Sequence, residues 1–238
     1  MIIIPARLAS TRLPNKVLSK IGNTPMVIKT AQAVKAIDKV IIATDSKEVI
    51  EVAKEYNIEA ILTSNVHKSG TDRIYEAATK LNAKDSDIIL NIQADEPFIE
   101  QNVVQKLYDL TKEYANCEET IITTCYKLIN SQEANDPNIV KVVTNLQNEA
   151  LYFSRAKIPY DRDNKDISYK AHLGLYGFTY KKLKTFCELK GGVLEDIEKL
   201  EQLRVLDNGK KIAITEVQTN SFGIDTAEDL KRANRQQD

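Results

Sequence analysis

The sequence predicts an α/β fold with a mainly parallel central sheet, and two observations carry that prediction. Short apolar runs alternate with amphipathic, helix-length segments through the first half of the chain, the pattern of successive strand and helix units. The two strongest runs, Ile2-Ile3-Ile4 and Ile88-Ile89-Leu90-Asn91-Ile92, read as buried strands, the second as a central one.

The elements follow in order. After Ile2-Ile4 and a loop from Pro5 to Gly22, Asn23 or Thr24 can cap a helix with Pro25 in its first turn and an end near Asp38. Val40-Ala43 is the second strand, Ser46 caps a helix whose Val49, Ile50, Ala53 and Tyr56 share a face, and Ile58-Leu62 is the third strand. A helix over 71–81 leads into the Ile88 strand, which stops at Gln93-Ala94-Asp95-Glu96-Pro97. A helix over 102–114 and a strand over 120–125 close the regular alternation. Beyond them, Val140-Val143 and Ala150-Phe153 form a hairpin around the Asn145–Asn148 turn, and 161–170 is a charged loop. Residues of about 127–175 are read as an inserted cap or dimerisation element within a single domain of 1–238. Helices around 193–206, a strand over 211–217 and a helix after Asp225-Thr226 complete the chain.

With 238 residues, 42% of them hydrophobic and 28% charged, the chain needs no staples to bury a core. No stretch approaches the roughly 20 apolar residues of a membrane span. Met1-Ile4 runs directly into Pro5 and Arg7 without a basic leader or cleavage site, so it is read as a strand and not as a targeting segment. The three cysteines, Cys117, Cys125 and Cys187, lack metal-ligand spacing and fit reduced thiols of a cytoplasmic protein. A net charge of -1 argues against general nucleic-acid binding, which draws on an excess of Lys and Arg.

Three cations, Arg7, Arg12 and Lys16, fall in the loop that follows the first strand, where open α/β sheets collect their ligands. They read either as triphosphate ligands or as a solvated basic loop; neither a Walker loop nor GxGxxG is present. Asp95, just past the central strand, suits Mg²⁺ as a hard oxygen ligand or belongs to an ordinary acidic turn. Asp225 is its candidate partner or else a helix N-cap. His67 and His172 are the only histidines, and without GxSxG no nucleophile elbow is present.

Taken in order, IIPARLASTRLPNK, ATD (43–45), SGTDR (69–73), QADEP (93–97), PNIVKVV (137–143), LYFSRAKIPYDRD (151–163), HLGLYGF (172–178), LEDIEKLEQLRVL (194–206) and GIDTAEDL (223–230) resemble the 3-deoxy-manno-octulosonate cytidylyltransferase family over almost the whole chain. Asn15 stands where the family often has Gly, Ala94 replaces the Gly of QGDEP, and the 161–171 connection is shorter than in many relatives.

The resemblance implies a Rossmann-like nucleotide-diphospho-sugar transferase fold, a homodimer, and Mg²⁺-dependent transfer of CMP from CTP to the anomeric hydroxyl of 3-deoxy-manno-octulosonate (Kdo), for lipopolysaccharide biosynthesis. It further implies that Ala6, Arg7 and Lys16 hold nucleotide and phosphates, that Ser69, Thr71 and Arg73 surround the cytidine side, and that Asp95 and Asp225 bind metal, these two serving catalysis with Arg7 and Lys16. Gln93, Ser154, Arg155, His172, Tyr176, Glu198, Glu201 and Gln202 would line the Kdo site. Competing readings are a cytidylyltransferase for 8-amino-Kdo or sialic acid, and a non-catalytic nucleotide-binding regulator. The regulator would not need both Asp95 and Asp225.

Overall fold

In a computed structural model that describes residues 1–9, 13–67 and 69–235, the predicted apolar runs assemble into one large sheet. Strands β1 (Ile2–Ala6), β4 (Val40–Thr44), β5 (Glu59–Leu62) and β6 (Ile88–Asn91) are mutually parallel, with β1 between β4 and β6. A small pair, β2 (Lys20–Ile21) and β3 (Thr24–Pro25), precedes α1 (Met26–Val34). Pro25 thus sits at the N-cap and not in the first helical turn, and α1 ends before Asp38 because Lys35 to Asp38 turn back toward β4. The predicted cap of α2 (Lys47–Glu55) is present: Ser46 Oγ accepts from the backbone N–H of Val49 at 3.4 Å.

Helices α3 (Gly70–Lys80) and α4 (Gln101–Glu113) flank β6 in sequence, and β7 (Thr120–Ile129) runs four residues past the predicted end at Cys125. The hairpin β8 (Lys141–Thr144) and β9 (Ala150–Ser154) forms as predicted. β10 (Tyr169–Thr179) then enters between β6 and β7, antiparallel to both. Helices α5 (Tyr180–Glu188), α6 (Val193–Glu198) and α7 (Leu203–Asp207) lead to β11 (Lys211–Glu216), parallel to β7, and α8 (Ala227–Arg235). The order across the sheet is β11-β7-β10-β6-β1-β4-β5, with β8 beside β10 and β9 beyond it.

The pleat divides the core in two. Ile2 and Ile4 point toward α1, α2 and α4, while Ile3 points toward α3, α5 and α7. Each such side chain, fully buried, contributes about 1.5–3 kcal/mol relative to exposure. At the centre, Gly177 is required by close approach: a Cβ there would lie 2.0 Å from Thr111 Oγ1 on α4.

Two features of this topology place the site. The carboxyl ends of β1, β4 and β6 share one edge, so the loop after Ala6 and the turn after Asn91 are neighbours. β10 runs the other way with Tyr176 opposite Asn91, so His172 projects beyond that same edge.

Candidate active site

At the end of β1 the chain turns through Arg7, which is exposed and has no hydrogen-bond or ion-pair partner among the described residues. Ala6 itself is buried on the strand opposite Thr44. Arg12 lies outside the described residues. The loop returns in a single 3₁₀ turn over Lys16–Leu18, and Asn15 before it has φ 52°, in the left-handed region. That conformation favours Gly, with Asn the best-tolerated side chain, which accounts for Asn at a position where the resembled family often has Gly.

Lys16 is thereby aimed at two carboxylates from distant parts of the chain: its Nζ donates to Asp95 Oδ2 at 2.5 Å and to Asp225 Oδ1 at 2.9 Å. The backbone reinforces the convergence, since Ile224 N–H donates to the carbonyl of Asp95 at 2.9 Å. Burial alone would lower the Lys16 ammonium, but Asp95 and Asp225 outweigh it and its pKa is raised. Asp95 sits in the turn after β6, as the alternative reading of it expected. Thr226 Oγ1 accepts from Asp229 N–H at the start of α8, and the cap residue of α4 is Glu100.

Glu96, which no sequence motif sets apart from its turn, is a third carboxyl at this place, pushed up to about 8 by burial and then by the charges of Asp95 and Asp225. Among the described residues no set of three or more His, Cys, Asp or Glu is arranged to hold a metal alone. Mg²⁺ ordinarily takes one or two carboxylates and completes its shell with phosphate oxygens and water, so the Asp95–Asp225 pair fits an ion that arrives with a nucleotide.

Beside this centre, Ser69 caps α3 by accepting from Asp72 N–H at 3.1 Å. Gly70 follows it closely against β1, where a Cβ would meet Pro5 Cγ at 3.1 Å. Arg73 is buried, with its guanidinium donating to Thr63 Oγ1 at 2.6 Å, to the carbonyl of Ser64 and to Asp45 Oδ2 at 2.9 Å. Asp45 in turn accepts from Leu8 N–H at 3.3 Å. Arg73 therefore braces the opening loop from behind. His67 pairs with Glu76 further along, away from the carboxylate centre.

Thr71 links the two sides of the site. Its Oγ1 donates to Glu201 Oε1 at 2.5 Å and receives Asn91 Nδ2 at 3.5 Å, while Gln93 Nε2 donates to Asn91 Oδ1 at 3.3 Å. Burial raises the pKa of Glu201, against the opposing hydrogen bond from Thr71 and the charge of Arg204. Next to it, Gln202 Oε1 accepts from Tyr176 OH at 3.1 Å. Glu201 Oε2 and Gln202 Nε2 are both buried without a hydrogen-bond partner among the described residues. Native proteins rarely leave such atoms unsatisfied, so each calls for a polar partner such as water or a ligand group.

His172 packs against Phe153 and Tyr176, with ring centroids 4.8 and 5.6 Å away, and its Nε2 lies 3.0 Å from Thr124 Oγ1. Burial pushes it down to about 3, so the imidazole is neutral. Tyr176 is held well above its ordinary value by burial and by Glu201. On the adjoining β9 edge, Glu198 accepts from Ser154 Oγ at 2.6 Å and from Arg155 N–H at 2.9 Å, and its carbonyl accepts from Arg155 Nε at 2.8 Å. The structure thus gathers Lys16, Asp95 and Asp225 in one cluster, Thr71, Tyr176, Glu201, Gln202 and His172 in a second, and Ser154, Arg155 and Glu198 in a third.

Similarity to known proteins matches this arrangement. The cytidylyltransferase family matches residues 1–212. A protein of Nitratiruptor sp. named 3-deoxy-manno-octulosonate cytidylyltransferase is 53% identical over 235 residues, covering 98% of both chains. The chain belongs to the 3-deoxy-manno-octulosonate cytidylyltransferase family. Another relative of that name, from Wolinella succinogenes, is 48% identical over 98% of this chain and 97% of its own. The solved structure of CMP:2-keto-3-deoxy-manno-octonic acid synthetase complexed with CTP superposes with a TM-score of 0.90 at 35% identity, covering 99% of this chain and 97% of that one. In this cytidylyltransferase the α/β architecture predicted from the sequence is therefore the architecture of the family.

Proposed function

We infer that this cytidylyltransferase transfers CMP from CTP to the anomeric hydroxyl of Kdo and releases pyrophosphate. One observation supports the division of labour: beside a paired-charge centre, Lys16 with Asp95 and Asp225, Thr71 leads to a pocket where Glu201 Oε2 and Gln202 Nε2 are buried without a hydrogen-bond partner among the described residues. A triphosphate needs the first and a polyhydroxylated acid the second.

In this reading Arg7 and Lys16 take the triphosphate charge, Ser69 and Thr71 bound the cytidine side, and Arg73 fixes the loop that carries Arg7. Arg155 supplies the cation for the Kdo carboxylate. Glu201 accepts from a sugar hydroxyl and Gln202 donates to one, while neutral His172 and Tyr176 set the pocket's shape and hydrogen bonding. The anomeric oxygen attacks the α-phosphorus, the bond to the pyrophosphate bridging oxygen breaks, and the hydroxyl proton passes to solvent. Lys16 stays beside the departing negative charge, so positioning and electrostatics supply most of the rate. Asp95 and Asp225 would hold Mg²⁺, which when bound supplies neutralisation of phosphate charge and Lewis-acid activation.

We also propose a cytoplasmic homodimer. The three free cysteines support a reducing compartment. No described helix is long and apolar enough to cross a membrane. Leu151 on β9, inside the 127–175 element, and Val193 and Ile197 on α6, outside it, expose apolar side chains, which supports a second copy covering them.

Pyrophosphate release measured for each NTP against a panel of acidic sugars tests the reading. CTP with Kdo should be the productive pair. Turnover with another nucleotide, or equal turnover with sialic acid, would contradict it.

A further inference from the structure

Lys141, at the start of β8, is fully buried, yet no carboxylate among the described residues lies within ion-pair distance of its ammonium. Three backbone carbonyls take its three N–H donors instead: Asp136 at 2.8 Å, Arg155 at 2.6 Å and Ile139. Two of these belong to the 136–139 loop and the third to Arg155 itself. The same loop holds the Arg155 side chain, because Nη1 of Arg155 donates to the carbonyl of Pro137 at 3.1 Å. One ammonium therefore ties together the backbone of Arg155 and the loop on which its guanidinium rests.

Burial of an ammonium is costly, and an apolar side chain of similar length serves packing alone at least as well. What an apolar residue lacks is the threefold tie between loop and strand. Glu198 restrains Arg155 from the opposite side, through the backbone N–H and Nε, so without Lys141 the guanidinium keeps one anchor and loses the fixed position of the other.

We propose that Lys141 is a positioning residue for sugar-acid recognition, acting through Arg155 by locking the 136–139 loop to the end of β9. The inference rests on the reading of Arg155 as the ligand of the Kdo carboxylate.

The test is a double-mutant cycle read in KM for Kdo and KM for CTP, with folding checked by circular dichroism and by calorimetric CTP binding. Lys141→Met should raise KM for Kdo by about 10- to 100-fold, the scale of misplacing a substrate-positioning group, and leave KM for CTP unchanged. In an Arg155→Ala background the same substitution should add little, because the group it positions is gone. Lys141→Arg, which keeps a charged donor, should restore part of the Kdo KM. Additive effects, or equal weakening of CTP and Kdo, would overturn the role of Lys141. A normal Kdo KM in Arg155→Ala alone would overturn the assignment of Arg155 and the inference with it. Failure of both Lys141 variants to fold would make Lys141 a folding element and also overturn the proposal.

Discussion

At the carboxylate centre Lys16 is paired with Asp95 and Asp225, while Arg7, at the end of β1, stands exposed without a partner among the described residues. On the side proposed to take the sugar, two buried polar atoms, Glu201 Oε2 and Gln202 Nε2, have no hydrogen-bond partner among the described residues. In the proposed function the difference follows from what each side would have to do. A triphosphate would be bound by charge that can rearrange as nucleotide and pyrophosphate come and go, and without it the Lys16 ammonium is compensated by Asp95 and Asp225. A sugar acid must be told from its analogues, and buried donors and acceptors reject a molecule that leaves them unsatisfied far more strongly than an apolar wall does. Thr71 stands where the two strategies meet, within hydrogen-bond reach of Glu201 from the first turn of α3.

The sharpest way to break this comparison is at the carboxylates. Asp95→Asn and Asp225→Asn should each lower kcat by about 10²- to 10³-fold, the loss typical of removing one transition-state electrostatic contact, with circular dichroism unchanged. Chelation should abolish turnover and added Mg²⁺ restore it. Full activity of either variant under saturating substrates would show that the convergence on Lys16 is a structural ion pair only.

A smaller loss is expected when the cation is removed. Lys16→Ala should reduce CTP use by roughly 10- to 150-fold, the equivalent of a charge-assisted contact worth about 1.5–3 kcal/mol, without a comparable change in KM for Kdo. Kinetics that change equally for both substrates would erase the distinction between the two sides.

The fold between them is tested at Gly177. Gly177→Ala should destabilise the protein by about 1–3 kcal/mol in denaturant unfolding, because the added methyl has no room against Thr111 and Thr123. An unchanged midpoint would mean that α4 can shift away from β10.

His172 supplies a pH test. Its pKa of about 3 in the folded protein lies below the value of about 6.5 for a free imidazole, so the unfolded chain binds more protons between those values. Its contribution is fully present above about pH 6.5 and falls by up to about 1.4 kcal/mol per pH unit as pH drops toward 3. Other groups titrate in that window, so the readout is the difference between wild type and His172→Gln, which should lack this part of the slope. Identical slopes would place the imidazole in water.

Much of this was legible in the sequence where the determinants are local. Ile2-Ile4 and Ile88-Asn91 are strands because unbroken apolar runs can only be buried, and Ser46 caps α2 because its hydroxyl lies three residues from the N–H it satisfies. Helix α5 was not legible, although Thr179 caps it by accepting from Lys182 N–H, because its nine residues bury only Leu183 and Phe186 and so carry a weak helical apolar pattern.

The site divides similarly. The motifs singled out Lys16, Asp95 and Asp225, but the contact between Thr71 and Glu201 joins positions 130 residues apart, and no periodicity marks it. Glu96 looked like part of a turn until the fold desolvated it beside two carboxylates. Lys141 read as one polar residue in a strand of valines, and only the carbonyls around its ammonium set it apart.

The central claim, that charge binds the nucleotide while the buried polar pocket reads the sugar, is tested most directly by calorimetric titration of CTP into Gln202→Ala, paired with its KM for Kdo. Gln202→Ala should raise KM for Kdo by about 3- to 10-fold, the cost of a lost neutral hydrogen bond, and leave CTP affinity nearly unchanged. CTP binding weakened as severely as sugar use would contradict the account.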